Sequence, residues 1–184
     1  MRSLVCIFVL ALTACAAAPK RAAETPGPTF LLGAEPPYVA LDAPGWHRSP
    51  GTEKDQMFLH WHDHKDTRVL AVWIKPADPG STVEGAMTKF AAMIMAVPVL
   101  FSQVEATPVQ TLSDEEATFG FRGVDSKTGT RMAALCRVKL VSGHGTAYWA
   151  MILTFAPETM APRMLFDADM AAKNLRILAP IPPK

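Results

Sequence analysis

The chain has 184 residues, 49% of them apolar and 19% charged, with 18 Lys and Arg against 17 Asp and Glu and a formal net charge of +1. That length suits one domain with some tail, and the apolar share supplies a sizeable core. The balance of charge, with no basic stripe or charge run, excludes general nucleic-acid binding, which needs a clustered basic face.

The chain opens MRSLVCIFVLALTAC. Arg2 is a short basic start. The apolar run from Leu4 to Leu12 is too short to span a bilayer and has the length of a secretory h-region. It ends in LTAC, residues 12–15, which resembles a bacterial lipobox: an aliphatic residue and two small ones before a cysteine. The resemblance implies cleavage after Ala14, a lipid on the sulfur of Cys15, and an anchor of more than one acyl chain, enough for stable membrane attachment. The alternative is an ordinary secretory peptide with an incidental cysteine. Ala16, rather than Asp, after the cysteine points to the outer membrane, with the domain facing the periplasm. Residues 1–14 are thus expected to be a lipoprotein signal peptide. Residues 15–36, rich in Ala and Pro and without periodicity, are expected to be the lipidated cysteine and a flexible tether. TFLL inside that stretch reads alternatively as a first pairing segment.

From Pro37 to residue 180 the chain reads as one globular domain. YVALDAP is a short strand running into a turn at PGW. MFLHWHD and TRVLAVWIKP are two strands joined by a tight polar connection around HKD. STVEGAMTKFAAMIMAV is a helix, with Ser81 or Thr82 able to cap it and Glu84 well placed in its first turn. Val83, Met87, Phe90, Ile94 and Val97 form one continuous face, and Pro98 stops it. Met93 and Met95 lie off that stripe, so core packing is a simpler use for the methionines than an adaptable binding surface. LFSQVEATPVQTLSD is extended, with Pro108 marking an edge or an irregularity.

EATFGFRGV and RMAALCRVKLV are strands around the turn DSKTG, and SGHG is a second turn. In the second of these strands Met132, Ala134, Cys136, Val138 and Leu140 alternate with Arg131, Ala133, Leu135, Arg137 and Lys139, which puts Cys136 on an apolar strand face as a buried, inert thiol. With Cys6 lost in the signal and Cys15 lipidated, no intrachain disulfide is left to form. TAYWAMILTF is apolar on both faces, the pattern of a central strand covered twice. RMLFDADMAAKNLRIL is a second helix, with Met164, Ala168, Ala171, Leu175 and Leu178 at helical spacing. The fold class is therefore α+β: a twisted antiparallel sheet of about six to seven strands with two amphipathic helices in an α/β/α sandwich.

The early YVALDAPGW, the helix after the third strand, FGFRGVDSKTG feeding a long hairpin and the final DADMAAKNLRIL helix together resemble the PsbP-like superfamily, and, with the lipobox, its small bacterial lipoproteins of DcrB type. The resemblance covers residues 37–180. It implies the sandwich just described and a role in binding or assembly, and it carries over no catalytic motif.

FLHWHDHKD, residues 58–66, is the one stretch with a metal-like pattern. His60, His62 and His64 alternate with Trp61 and Asp63. On a strand, His60 and His62 share a face about 6.7 Å apart, a usable pair, whereas His60 and His64 lie about 13 Å apart and cannot share an ion while the strand stays straight. A turn starting at Asp63 could swing His64 or Asp66 inward; otherwise a further ligand must come from elsewhere, with His47 and His144 as candidates. The competing reading is a solvated strand face running into a charged turn, with Leu59 and Trp61 buried behind it. Nucleophile-elbow, phosphate-loop, dinucleotide and zinc-protease motifs are absent. Asp114, Glu115 and Glu116 read as a solvated turn. Asp167 and Asp169 read as carboxylates near a helix start, favoured by its dipole, and the four tryptophans read as core or interface. The sequence thus points to a non-enzymatic envelope lipoprotein without a cofactor, held at the membrane by its lipid and binding a protein partner. The alternative is a metal- or small-ligand-binding lipoprotein using the face of His60 and His62, with His64 beside them.

Overall fold

The computed structural model describes residues 28–33, 37–49, 56–61, 68–95 and 101–179. In chain order the elements are β1 (Thr29–Leu32), β2 (Val39–Asp42), β3 (Trp46–Arg48), β4 (Gln56–Trp61), β5 (Val69–Pro76), α1 (Val83–Met95), β6 (Phe101–Ala106), β7 (Gln110–Ser113), β8 (Glu116–Asp125), β9 (Arg131–Gly143), β10 (Thr146–Pro157), α2 (Ala161–Asn174) and β11 (Leu175–Ile177). The strands β3-β4-β5-β10-β9-β8-β6 run side by side in one sheet, with β7 also paired to β8, giving eight strands. A separate three-stranded sheet has the order β1-β2-β11. All pairings are antiparallel. The expected α+β class and two-helix sandwich are observed, and the sheet is larger than the six to seven strands expected.

Strand β10 lies between β5 and β9 and is buried on both faces, as its sequence required. Trp149, Met151 and Leu153 point to one side, where they pack with Val83, Met87 and Phe90 of α1 and with Phe119, Phe121, Cys136 and Val138. Ala150 and Ile152 point to the other side, where they join Leu70, Val72 and Ile74 of β5, Ala171 and Ala172 of α2, and the small sheet. Thr82 caps α1: its Oγ1 accepts the Gly85 N–H at 3.2 Å, and its carbonyl accepts the Ala86 N–H. Val83, Met87 and Phe90 are buried as the stripe predicted, and Ile94 is half-buried; Val97 and Pro98 lie outside the described residues.

TFLL is β1 and pairs with β2, so the pairing alternative holds for that segment. The second helix is shorter than expected. It ends at Asn174, and Leu175 and Ile177 pair with Leu41 and Val39 as β11. The helical spacing of Leu175 and Leu178 was misleading. Leu175 and Ile177 are buried on one face at strand period, while Arg176 faces out and pairs with Asp42 at 3.1 Å. The released helix end is held from outside: Lys139 Nζ donates to the Ala172 carbonyl at 2.6 Å, and Asn174 Nδ2 donates to the Asp42 carbonyl at 3.0 Å.

From Ser102 to Ser113 the edge formed by β6 and β7 is exposed, and it is broken at two places. Gln103 has φ +53°, beside a register shift. At Thr107, next to Pro108, the side chain replaces ladder bonds: Oγ1 accepts the Gly120 N–H at 2.7 Å, while the Thr107 N–H reaches the Gly120 carbonyl at 2.8 Å. A Cβ at Gly120 would stand 3.3 Å from the Ala134 carbonyl oxygen and 3.4 Å from that hydroxyl, hence the glycine. Such interruptions suit an edge that must not pair with other chains. In the β8–β9 turn, backbone N–H groups of Thr128 and Lys127 donate to Asp125 Oδ1 and hold its carboxyl below its usual range.

Two carboxylates read as dipole partners of a helix start are in fact mid-helix. Asp167 is buried and accepts from Arg68 at 2.8 Å, with both side chains about 95% or more covered; Arg68 also stacks 5.7 Å from the ring centre of buried Trp46. Asp169 pairs with Arg137, which also meets Glu116 at 2.8 Å. Glu116 is thus the first residue of β8 rather than part of a solvated acidic turn. The helix begins at Ala161 with Pro162 in its first turn, earlier than the apolar spacing indicated.

Asp167→Ala removes the carboxylate that the buried Arg68 guanidinium meets at 2.8 Å and should cost about 3–5 kcal/mol in chemical denaturation, while Arg68→Met with Asp167→Leu should recover most of that loss. A cost below about 1 kcal/mol for the single variant would show that the pair is dispensable. Burial raises the Cys136 thiol well above its ordinary value. It should stay unmodified by iodoacetamide in the folded protein and react only on unfolding; rapid labelling under native conditions would contradict that.

Candidate functional site

A groove of about 440 Å³ runs between α1 and the strands β5 and β10. Its floor is a sheet face. Trp149 and Lys75 are cross-strand partners and so project to the same side, with Met151 two residues along from Trp149. Its other wall is a helix face. Gly85, Ala86, Lys89, Phe90 and Met93 recur at the helical spacing that turns them toward the groove. Asp78, Gly80, Ser81 and Thr82 close one end, where the chain passes from β5 into the helix. The indole N–H of Trp149 donates to Ser81 Oγ at 2.9 Å, which fixes the largest ring of the floor to the loop above it. A volume of that size with a mainly apolar lining and few polar groups is the usual form of a small-molecule site.

The charges around it are not balanced internally. Lys75 comes from the sheet wall and Lys89 from the helix wall, and neither ammonium has an ion-pair partner among the described residues. The third charge, Asp78, is likewise outside ion-pair range of both. The residues lining the groove include no histidine, cysteine or glutamate. Sequence reading missed this site. The only available signal was the off-stripe position of Met93, because Lys75 and Trp149 are 74 residues apart and meet only through the β5–β10 register.

The histidine face of β4 is on the same side of the sheet as α1. Met57 and Leu59 are fully buried, and Phe58 packs edge-on against Trp73 at 5.4 Å. His60 is exposed. Its partner is His47, which lies directly across from it on β3, with ring centroids 5.8 Å apart; Ser49 Oγ lies 3.3 Å from His60 Nδ1. His62 and His64, like Cys15 and the segment before it, lie outside the described residues. His144 is excluded as a partner. It sits in the β9–β10 turn, beyond Thr146, which is nine residues along β10 from Phe155, the residue level with His60, and so about 30 Å away. Among the described residues no group of three or more His, Cys, Asp or Glu stands close enough to hold a metal ion, so the pair offers two ligands.

No family model matches the chain, and no curated protein matches it. Solved structures do. The Ran-binding protein Mog1p of Saccharomyces cerevisiae matches with a TM-score of 0.56 at 7% identity, over 82% of this chain and 96% of that one. A Mog1 mutant matches at 0.52 and 9% identity with the same coverage. LpqN of Mycobacterium tuberculosis, described as involved in cell envelope biogenesis, matches at 0.49 and 13% identity, over 83% of this chain and 91% of that one. The Mog1p match establishes the fold as PsbP-like, in agreement with the expected sandwich.

Proposed function

We propose that the chain is a non-enzymatic binding or assembly factor of a bacterial cell envelope, anchored through a lipid on Cys15 with its domain on the periplasmic side of the outer membrane. Within the PsbP-like fold, the lipobox supports grouping it with the small lipoproteins of DcrB type. The observation that carries the binding role is the groove beside α1: a concavity with an apolar floor, unpaired charges on its rim and a serine engaged by an indole rather than by a base. The groove has the parts of a binding site and lacks a nucleophile–base pair. Mog1p, on the same fold, is a Ran-binding protein, which is compatible with a protein partner here. Among the described residues no helix is long and apolar enough to cross a membrane, which is in keeping with attachment by lipid.

Adding solubilised envelope extract to the full chain should slow hydrogen exchange in α1 and in β10 around Trp149. Met93→Glu, which puts a charge into the apolar wall, should abolish that protection. Exchange that the extract leaves unchanged would sink the groove as the binding site. For the anchor, the wild-type chain should incorporate labelled palmitate and Cys15→Ser should not; label persisting in the variant would exclude Cys15.

A second reading, metal binding, is favoured by the His47–His60 pair. Ring centroids 5.8 Å apart are close to the spacing of two imidazoles on one ion, each with a nitrogen about 2.1 Å from it. Zinc or copper should bind the wild-type chain at least about tenfold more tightly than the His47→Ala/His60→Ala variant, since removing first ligands costs at least that much. Equal affinities would exclude this pair.

A further inference from the structure

We infer that the ligand of the groove is a single-chain anionic amphiphile, a long-chain carboxylate. The inference rests on the reading of the groove as the binding site and concerns what it takes.

Three features of the groove select that chemistry. The first is size and shape. A volume of about 440 Å³ is about fifteen times the 30 Å³ share of one water. A methylene has similar bulk, so the space matches one hydrocarbon chain of about a dozen carbons. The surface that would meet this chain comes from Met93 and Ala86 of the helix and the partly covered edges of Trp149 and Met151, with Phe90 buried behind them. The two methionines have unbranched, polarizable side chains that adapt to a flexible apolar ligand.

The second is the supply of hydrogen-bonding groups. A peptide laid into the groove would bring an N–H and a C=O per residue, each needing a partner. The groove offers few. Ser81 Oγ accepts the Trp149 indole N–H and Thr82 Oγ1 accepts the Gly85 N–H, which leaves each hydroxyl one O–H to donate, and the Ala86 N–H is held by the Thr82 carbonyl. The floor is also the face of two paired strands, not a free edge, so strand addition is closed to a peptide here. A hydrocarbon chain makes no such demand.

The third is charge. Lys75 and Lys89 bring two ammonium groups to the rim from opposite walls, against the single carboxylate of Asp78, and none of the three is paired with another. The balance favours one negative head group held between the lysines, with Asp78 disfavouring a second negative charge at its end of the groove.

The test uses the full chain in its own membranes, with a photoreactive analogue of myristate and, for comparison, the neutral alcohol and the trimethylammonium cation of the same chain length. A two-chain phosphatidic acid probe is the fourth arm. After irradiation, the modified residues are mapped by mass spectrometry. The carboxylate should label the segments around Met93 and Trp149 at least about fivefold more than the neutral or cationic probe. Lys75→Glu with Lys89→Glu should erase that preference. Gly85→Leu should block labelling, because a Cβ at 85 meets only the Thr82 hydroxyl, at 3.3 Å, so the longer side chain extends into open groove space. Leucine also favours the helix more than glycine does, but its Cβ crowds the capping Thr82 hydroxyl, so the variant is read for occupancy only with a thermal midpoint matching the wild type. Equal labelling by all three single-chain probes would overturn the anionic head group, and labelling by phosphatidic acid equal to that by the carboxylate would overturn the single chain. Envelope extract that protects the groove from exchange, while no probe labels it, would overturn the ligand class and leave the binding role standing.

Discussion

The structure is organised by a strand that cannot be left uncovered. TAYWAMILTF presents apolar side chains to both sides, so β10 has to lie at the centre of a sheet with a layer on each face. On one face α2 and the three-stranded sheet provide a broad cover. On the other face only α1 is available among the described elements. A helix about 10–12 Å across spans little more than two strands spaced at about 4.8 Å. It lies over β8, β9 and β10, and the space on its β5 side is the groove. The site is therefore a consequence of covering a wide sheet with one narrow helix.

The opposite face is fastened differently. There α2 carries only three alanines and a methionine as its buried apolar residues, Met164, Ala168, Ala171 and Ala172. Small side chains bring the helix close to the sheet, and the attachment is completed by polar groups. Arg68 and Asp167 meet in the interior; Arg137 holds Asp169 and Glu116; Lys139 reaches the Ala172 carbonyl; and Thr154 Oγ1 donates to the Met164 carbonyl at 3.3 Å. Buried ion pairs add little net stability against an apolar pair of the same shape, but each is costly to break singly. Only Arg68–Asp167 is such a buried pair, and its effect is to specify how α2 sits; Asp169 is 42% exposed and guides the helix more weakly. A rotated or shifted helix would part Arg68 and Asp167 in the interior.

These two modes of packing separate the parts that hold the fold from the parts free to bind. The α2 face is dense with paired charge. The α1 face leaves Lys75 and Lys89 without an ion-pair partner among the described residues, beside a mainly apolar groove, and it also carries the His47–His60 pair near the far edge of the same sheet. Both candidate sites therefore open on the side with the thinner cover. They are chemically unlike: one is an apolar slot with cationic rims, the other a two-nitrogen donor on an exposed strand pair.

Much of the architecture was legible in local pattern. Alternation placed Cys136 and Leu59 inward, the two-sided apolar run placed β10 at the centre, and the stripe from Val83 to Phe90 identified the buried face of α1. These features follow from periods of two and 3.6, which are properties of consecutive residues. Where the two periods coincided, at Leu175, the sequence was ambiguous, and pairing with β2 decided for a strand. Partners distant in the chain were not legible at all. Asp167 was indistinguishable from a surface helix carboxylate until Arg68, 99 residues away, was placed against it. His60 had several possible histidine partners until the β3–β4 register brought His47 opposite and set His144 at the other end of the sheet. The sequence by itself determined which faces are apolar and where the chain turns, because burial pattern and turn chemistry are local. Only the tertiary structure decided which charges meet, which are left over and where the covering layer falls short, because those depend on strand register and on the width of one helix against a whole sheet.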